Sequence, residues 1–494
     1  MSTDSAKTTL RNTGLVGGSQ VISMIIGIVK TKVAAILLGP SGMGIIQLFT
    51  SSINLIQSIS SLGIGFSGVR DVSESIGSGD NEKVAKTIIT LKRWTWATGI
   101  LGVIITVIFS KQLSYWAFDN EDYWIEISIL SLTIFFANIN ASYGAIIRGA
   151  RRMGDYVKVN LWSAFLGAII SIVLYYFFKE KGIVPSLITS GLIILIANFY
   201  YAKKIKLIKV KVGYKESITN GLGMIKLGIY TVLTGFVSNS TLYYVRVSIS
   251  NNLGLDAVGY YAAATTLTLT YMGVIFTTMS ADYFPKVSAI NNDDREINQA
   301  ILEQTNFLLL LGTPLIIAMF TFSEYIIQVL YSNKFISALP LMMWLLLSIF
   351  LRFINLPIGY VFLAKGKGKI FIFTQSFWNV IFLALVFFSW KILNNLEGIG
   401  IAYILANILA MVVNVFIIKK QTGLIYEKNI LKNILILSII IALYFSISYF
   451  FKGFVIFIFK IIGLIALVYY SFKEIEKLIA INIIDFIRLK LKKK

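Results

Sequence analysis

Neither cysteine nor histidine occurs anywhere in the 494 residues. Their absence excludes disulfides, the common zinc sites, Cys and His nucleophiles, and any histidine proton relay. Acidic residues are scarce, 24 Asp and Glu against 45 Lys and Arg, which leaves a formal charge of +21. Proline is sparse as well, six in all, so long helices are seldom interrupted. What is abundant is apolar: 56% of the residues, with a mean hydropathy of +0.77. Only helices and closed barrels satisfy their own backbone in lipid, and the long apolar runs here indicate helices. The composition therefore predicts an all-α polytopic membrane protein. Residues 1–13 are polar and no small-residue cleavage site follows a short apolar core, so the first helix is expected to be retained.

Two stretches echo each other. Gly39 to Ser73 reads GPSGMGIIQLFTSSINLIQSISSLGIGFSGVRDVS, and Gly254 to Ser288 reads GLDAVGYYAAATTLTLTYMGVIFTTMSADYFPKVS. A constant offset of 215 places Gly39 on Gly254, Gly44 on Gly259, and Val72-Ser73 on Val287-Ser288 without a gap. Each copy opens on a glycine turn and continues as an apolar helix flecked with polar residues. A repeat this far apart in a membrane chain implies two halves of like fold with a site between them.

Apolar runs predict about fourteen transmembrane spans, near 14–38, 43–69, 87–110, 124–147, 159–178, 182–202, 224–249, 257–281, 304–323, 338–364, 370–390, 398–418, 433–451 and 453–472. The expected organisation is a six-helix lobe over 1–202, a basic cytoplasmic linker over 203–223, and a second six-helix lobe over 224–420. The two lobes are expected to be related by a pseudo-two-fold axis. An extra transmembrane pair follows over 421–472, then a basic amphipathic tail over 473–494. The linker KKIKLIKVKVGYKESITNG suits either an amphipathic segment on the membrane surface or a solvated connector. Pro185, Pro314 and Pro357 fall inside apolar spans, where the missing backbone donor can kink a helix.

With the N-terminus inside, only Lys111, Lys179, Lys181, Lys334, Lys391 and Lys452 fall in outer loops, six more cations fall in spans, and all the rest are cytoplasmic. This is the positive-inside pattern, and it brings both termini to the cytoplasm. It accounts for most of the basic charge, so no nucleic-acid partner is needed to explain it.

The six cations within spans are Lys30, Lys32, Lys226, Arg246, Arg352 and Lys460. A charge at the bilayer centre costs on the order of 2.5–3.5 kcal/mol on insertion scales, so it usually faces a cavity or a partner. Lys226 and Lys460 can instead snorkel to a headgroup. Arg352 lies deep within LLLSIFLRFINLPIGYVF and cannot easily reach water. Lys32 and Arg246 occupy nearly equivalent places in the repeat, with Lys30 beside the first. Arg70 ends the second span beside Asp71, where an ion pair competes with headgroup capture. Asp71, Asp282, Glu126 and Glu303 all fall near span ends. An interior with cations and no carboxylate favours an anion through charge and hydrogen bonding. Lys32, Arg246 and Arg352 are expected to line a hydrated, positive cavity. Asn54, Gln57, Asn138, Asn140, Asn239, Tyr243 and Tyr271 are among the polar residues that could contact sugar; taken singly, each better suits an interhelical hydrogen bond or core packing.

Nucleotide motifs are missing. Gly312-Thr313-Pro314 has no phosphate-loop context, and the GKGK run at 366–369 lacks the full spacing. No metal, no cofactor and no enzymatic activity are expected.

The stretch YYVRVSISNNLGLDAVGYYAAATTLTLTYMGVIFTTMSADYFPKVSAI resembles the seventh and eighth helices of the Wzx-type O-antigen and enterobacterial common antigen flippases. KVAAILLGPSGMGIIQLFTSSINLIQSISSLGIGFSGV is similar to their first two. These proteins belong to the multidrug/oligosaccharidyl-lipid/polysaccharide exporter superfamily. The resemblance implies a V-shaped pair of lobes, alternating access across the bacterial inner membrane, and an undecaprenyl-pyrophosphate-linked oligosaccharide held by cations. It implies substrate-binding roles for Lys32, Arg246 and Arg70, which stand where that group places basic residues, and Tyr271 belongs to the matching run. Lys30 and Arg352 join this candidate set on position alone. The family usually has twelve spans, so the pair at 433–472 is a departure; lipid II flippases of the same superfamily have fourteen. The expected activity is export of an O-antigen or capsule-type repeat unit, by a monomer, with a polysaccharide polymerase or chain-length machinery as possible partners. The alternatives are a lipid II-type flippase, a multidrug cation antiporter of the same fold, and an assembly protein without transport.

Overall fold

The computed structural model of the chain describes residues 3–205, 208–451 and 453–479. The expected tail from 480 onward lies outside them. Among the described residues there are helices and turns and no strand, and eleven helical runs are long and apolar enough to cross a membrane. The protein is an all-α, multi-pass membrane protein. Two of these runs, Gly14–Ser60 and Met153–Ala202, hold 47 and 50 residues, more than twice the ~20 residues of one crossing. Each is broken near its middle, which is one reason the runs number fewer than the expected crossings.

The chain folds as two compact units. The first reaches to Ala262 and includes Val329–Lys334. It holds α1 (Thr3–Ser60), α2 (Ile64–Gly77), α3 (Asn81–Ile108), α4 (Ser110–Phe118), α5 (Trp124–Gly149), α6 (Met153–Phe178), α7 (Ile183–Ala202), α8 (Tyr214–Leu253) and most of α9 (Leu255–Thr265). The second unit holds a π-helical turn (Thr266–Thr270), α10 (Gly273–Ala289), α11 (Asp294–Thr321), most of α12 (Ser323–Leu330), α13 (Leu339–Ala364), α14 (Gly368–Ile392), α15 (Leu396–Thr422), α16 (Lys428–Phe450) and α17 (Phe454–Ile479).

The units thus divide within α9 and not at the basic linker. A polar clamp explains part of this. From α3, Arg93 Nη1 donates to the Val212 carbonyl at 3.0 Å and to Ser217 Oγ at 2.7 Å, while Trp94 Nε1 donates to the Ser217 carbonyl at 2.8 Å. These bonds fasten the start of α8 to the first unit. Much of the expected linker, from Tyr214 onward, is already the first turns of that helix.

Several features recur at an offset of 213–216. Gly39 (φ 69, ψ −171) divides α1, and Gly254 (φ 83, ψ 177) divides α8 from α9. This backbone region is essentially closed to side chains other than hydrogen, so both helices stop and restart at one residue, and Pro40 suits the restart. Asp80 Oδ1 accepts from the amides of Glu82 and Lys83 at 2.8 and 3.1 Å, capping α3. Asp293 caps α11 with the same geometry through Arg295 and Glu296. Asn198 Nδ2 donates to Asn140 Oδ1 at 2.7 Å between α7 and α5, and Asn414 Nδ2 to Asn355 Oδ1 at 2.7 Å between α15 and α13. The short helices α4 and α12, which stand where the apolar pattern predicts loops, also correspond.

Packing separates core from lipid. In the second unit α13 is central, with Leu345, Ile349, Phe353, Ile358 and Phe362 fully buried. Phe459 on α17 is instead 73% exposed, as expected where lipid is the solvent. The extra pair packs on α11 and α13. Asn433 Nδ2 on α16 donates to Asn306 Oδ1 on α11 at 3.1 Å, and Tyr470 Oη on α17 donates to Asn433 Oδ1 at 3.2 Å within the pair.

Candidate functional site

The strongest candidate lies in the first unit, along the face that α8 shows to α1. The two backbones touch where Gly63 (φ 69) meets Gly228: a Cβ on Gly63 would sit 2.7 Å from the Gly228 carbonyl oxygen. From Gly228 the residues Val232, Gly235, Asn239, Leu242 and Arg246 follow at alternating steps of four and three, the spacing that keeps one face toward a neighbour. One heptad above Gly228 the helices have parted, since a Cβ on Gly235 would meet nothing within 4 Å. The gap is a cleft of about 390 Å³ lined by Asn54, Gln57, Ser58, Ser61 and Gly63 on one side and Val232, Gly235 and Asn239 on the other. Among the described residues no charged side chain lines it.

Arg246 stands two turns beyond Asn239 on the same face, about 10 Å along the helix axis. It is largely buried, and its Nε has no hydrogen-bond partner among the described residues. No carboxylate among them pairs with it. A buried donor left unpaired costs about 1–3 kcal/mol, a cost that an acceptor brought to Nε would relieve. Ser240 Oγ, six residues before Arg246 on the same helix, is also buried and unpaired.

The other expected site residues are distributed as follows. Lys32 is half-buried on α1 and its Nζ donates to the Tyr331 carbonyl at 2.5 Å. A carbonyl satisfies a donor without cancelling its charge, so the ammonium still adds positive potential. Lys30 is half-buried without a carboxylate partner among the described residues; two positions from Lys32, it points elsewhere round the helix. Arg70 is exposed and meets Glu74 at 3.8 Å, an i,i+4 surface pair of little energetic weight. Burial pushes the neighbouring Asp71 carboxyl above its usual range, against the pull of Arg70. Arg352 lies in the second unit, its guanidinium 5.0 Å from the Phe276 ring centroid, an arrangement worth about 2 kcal/mol where water is excluded. Lys460 does not snorkel freely: its Nζ reaches Ser448 Oγ at 3.4 Å in a cleft of about 260 Å³ that Glu324 also lines.

Tyr271 closes the π-helical turn, its amide donating to the Thr266 carbonyl at 3.1 Å. Thr268 Oγ1 bonds back to the Ala264 carbonyl at 2.6 Å, a contact that bends helices. Single π-turns inside helices are frequent at functional sites. The alternating Thr-Leu run at 265–270 was the available signal for it.

A cleft of about 890 Å³ among α11, α16 and α17 is a weaker candidate for anions. Arg295, Lys432 and Lys477 are matched there by Glu303, Glu427 and Glu474. Among the described residues no cluster of His, Cys, Asp and Glu suits a metal ion.

The bond from Lys32 to Tyr331 ties the Val329–Lys334 segment to α1. Replacing Lys32 with alanine is expected to free it. Because the chain contains no native cysteine, the check is labelling of a single Ser332→Cys by a membrane-impermeant maleimide. The rate should rise several-fold in Lys32→Ala, and an unchanged rate would show that the bond holds nothing in place.

A family model described as "Polysaccharide biosynthesis protein" matches residues 33–340. The putative O-antigen transporter of Shigella flexneri is 23% identical over 360 residues, covering 71% of this chain and 84% of that protein. The lipid III flippase of Escherichia coli strain K12 is 22% identical over 382 residues, covering 76% and 89%. The solved structure of a lipid II flippase in an inward closed conformation superposes with a TM-score of 0.69 at 16% identity, covering 93% of this chain and 98% of that one. That last likeness is one of fold.

Proposed function

We propose that this chain, which belongs to the polysaccharide biosynthesis protein family, is a flippase for an anionic lipid-linked oligosaccharide. The substrate is an undecaprenyl-pyrophosphate-linked repeat unit, and the protein moves it from the inner to the outer leaflet of the bacterial cytoplasmic membrane by alternating access. The observation that carries this reading is Arg246: a largely buried guanidinium, its Nε unpaired, beside an uncharged polar cleft. A pyrophosphate offers the acceptors that a guanidinium fork engages two at a time. The names of the two sequence relatives agree with such a substrate. Lys30, Lys32 and Arg352 add positive potential, Arg70 meets the headgroup at the membrane surface, and Tyr271 contacts the glycan. The excess of Lys and Arg in the assigned inner loops supports a cytoplasmic position for both termini.

A cation antiporter would need a carboxylate free to bind its cargo inside the membrane. Glu126 and Glu397 lie in the first turns of α5 and α15, and Glu397 already accepts from Trp344 Nε1 at 3.1 Å and Tyr449 Oη at 2.5 Å. Glu126 Oε2 is buried without a partner among the described residues, but it stands at the helix end and not at mid-span.

The test is depletion of the protein in its own cell. Lipid-linked glycan is expected to accumulate on the inner leaflet, where an oligosaccharide-cleaving enzyme added to right-side-out spheroplasts cannot reach it. Glycan lipid that stays accessible from outside at the undepleted level would refute the flippase reading.

A further inference from the structure

The cleft between α1 and α8 is chemically unlike the cation two turns away, and it invites a separate role. Its lining is amides, hydroxyls, bare glycine backbone and the one apolar side chain of Val232. The side-chain amides of Asn54, Gln57 and Asn239 make no hydrogen bond to any described residue, although each carries both a donor and an acceptor face. Three unengaged amides converging on a volume of about 390 Å³ are a recognition surface for a neutral, polyhydroxylated ligand, within the size range of small-molecule sites. Gly235 keeps the wall open, and the Gly63–Gly228 contact closes its floor.

We infer that this cleft is the glycan-reading subsite, which takes the uncharged sugars nearest the lipid anchor while Arg246 takes the anionic linkage. The inference rests on the flippase reading and deepens it by dividing labour along one helix face. Asn54, Gln57 and Asn239 then decide which glycan is accepted, and Arg246 decides whether the anchor is held at all. The separation of about 10 Å along α8 suits the span of a short oligosaccharide. An amide can donate to a sugar oxygen and accept from a sugar hydroxyl without a charge to desolvate, so discrimination rests on hydrogen bonds that a mismatched sugar leaves unmade.

The experiment measures binding to the full-length protein in lipid nanodiscs. The probes are a polyprenyl pyrophosphate without sugar and the same lipid bearing a neutral disaccharide. Wild type should bind the glycosylated lipid about tenfold more tightly. The double variant Gln57→Ala, Asn239→Ala should lose that gain and keep wild-type affinity for the bare pyrophosphate. Gly235→Leu, which fills the cleft from the opposite wall, should do the same, and thermal unfolding of both variants checks that they are folded. Arg246→Ala should weaken both probes alike. A sugar-dependent gain that survives in both folded cleft variants, or no gain in wild type, would overturn the subsite. Failure of wild type to bind either lipid would sink the flippase reading itself, and the subsite with it.

Discussion

Arg246→Ala is expected to lose most polysaccharide export while reaching the membrane at the wild-type level. The guanidinium can make two charge-assisted hydrogen bonds to a pyrophosphate, each contributing roughly 1.5–3 kcal/mol. Even one such bond corresponds to about tenfold in binding, and two to considerably more. Arg246→Lys keeps the charge and loses the fork, so partial export should remain. Folding should not suffer, because the side chain has no carboxylate partner to orphan and its Nε is unpaired already. The assay is surface polysaccharide in a flippase-deficient strain, read against the amount of protein in the membrane. Wild-type export by Arg246→Ala at equal expression would remove this residue from the site.

The second large effect should come from Gly259, where function is not the first thing lost. A Cβ at Gly259 would lie 2.1 Å from the Pro40 carbonyl oxygen, and one at Gly44 would lie 2.2 Å from that of Leu255. The two glycines correspond in the repeat, and each is pressed against backbone from the other copy within the first unit. Side chains can rotate out of a clash; a helix backbone can only shift. Overpacking of this kind typically costs about 1–3 kcal/mol. Gly259→Val and Gly44→Val should therefore lower the amount of folded protein in the membrane and its unfolding temperature in detergent, with the alanine variants milder. Gly273→Ala, which has open space around it, is the control and should change neither. Equal stability of all these variants would mean that the close approach does not persist in the membrane.

That contact shows how the sequence and the structure divide the information. The echo of Gly39-to-Ser73 in Gly254-to-Ser288 is visible in the letters, and so is the pairing of Gly44 with Gly259. That the paired glycines meet each other is not, because an offset carries no direction in space. The asparagine pairs were open to the same reasoning. Asn140 and Asn355 stand 215 apart, yet a lone polar residue in an apolar helix looks alike whether it binds cargo or a neighbouring helix. The structure assigns Asn140 and Asn198 to one interhelical bond and leaves Asn54, Gln57 and Asn239 unengaged in a cleft.

Composition determined most of the fold, because lipid allows a backbone so few solutions. Apolar runs of sufficient length had to be helices, and charges inside them had to face something other than lipid. The sequence therefore sufficed for the all-α membrane class, for the approximate place of most helices, and for Lys32, Arg246 and Arg352 as the unusual cations. The glycine turns at Gly39 and Gly254 were legible too; tertiary structure alone decided how sharply the helices break there and what each cation meets. One residue at Gly39 redirects α1 without ending it, and a π-turn before Tyr271 replaces the plain helix expected there. Arg70 meets Glu74 at the surface, Lys32 a backbone carbonyl and Arg352 an aromatic ring, whereas Arg246 keeps a buried donor unpaired. The physical reason is that insertion cost depends on a residue's own type and depth, which the sequence contains. A partner depends on which distant backbone comes within 3 Å, and only the packed helices settle that.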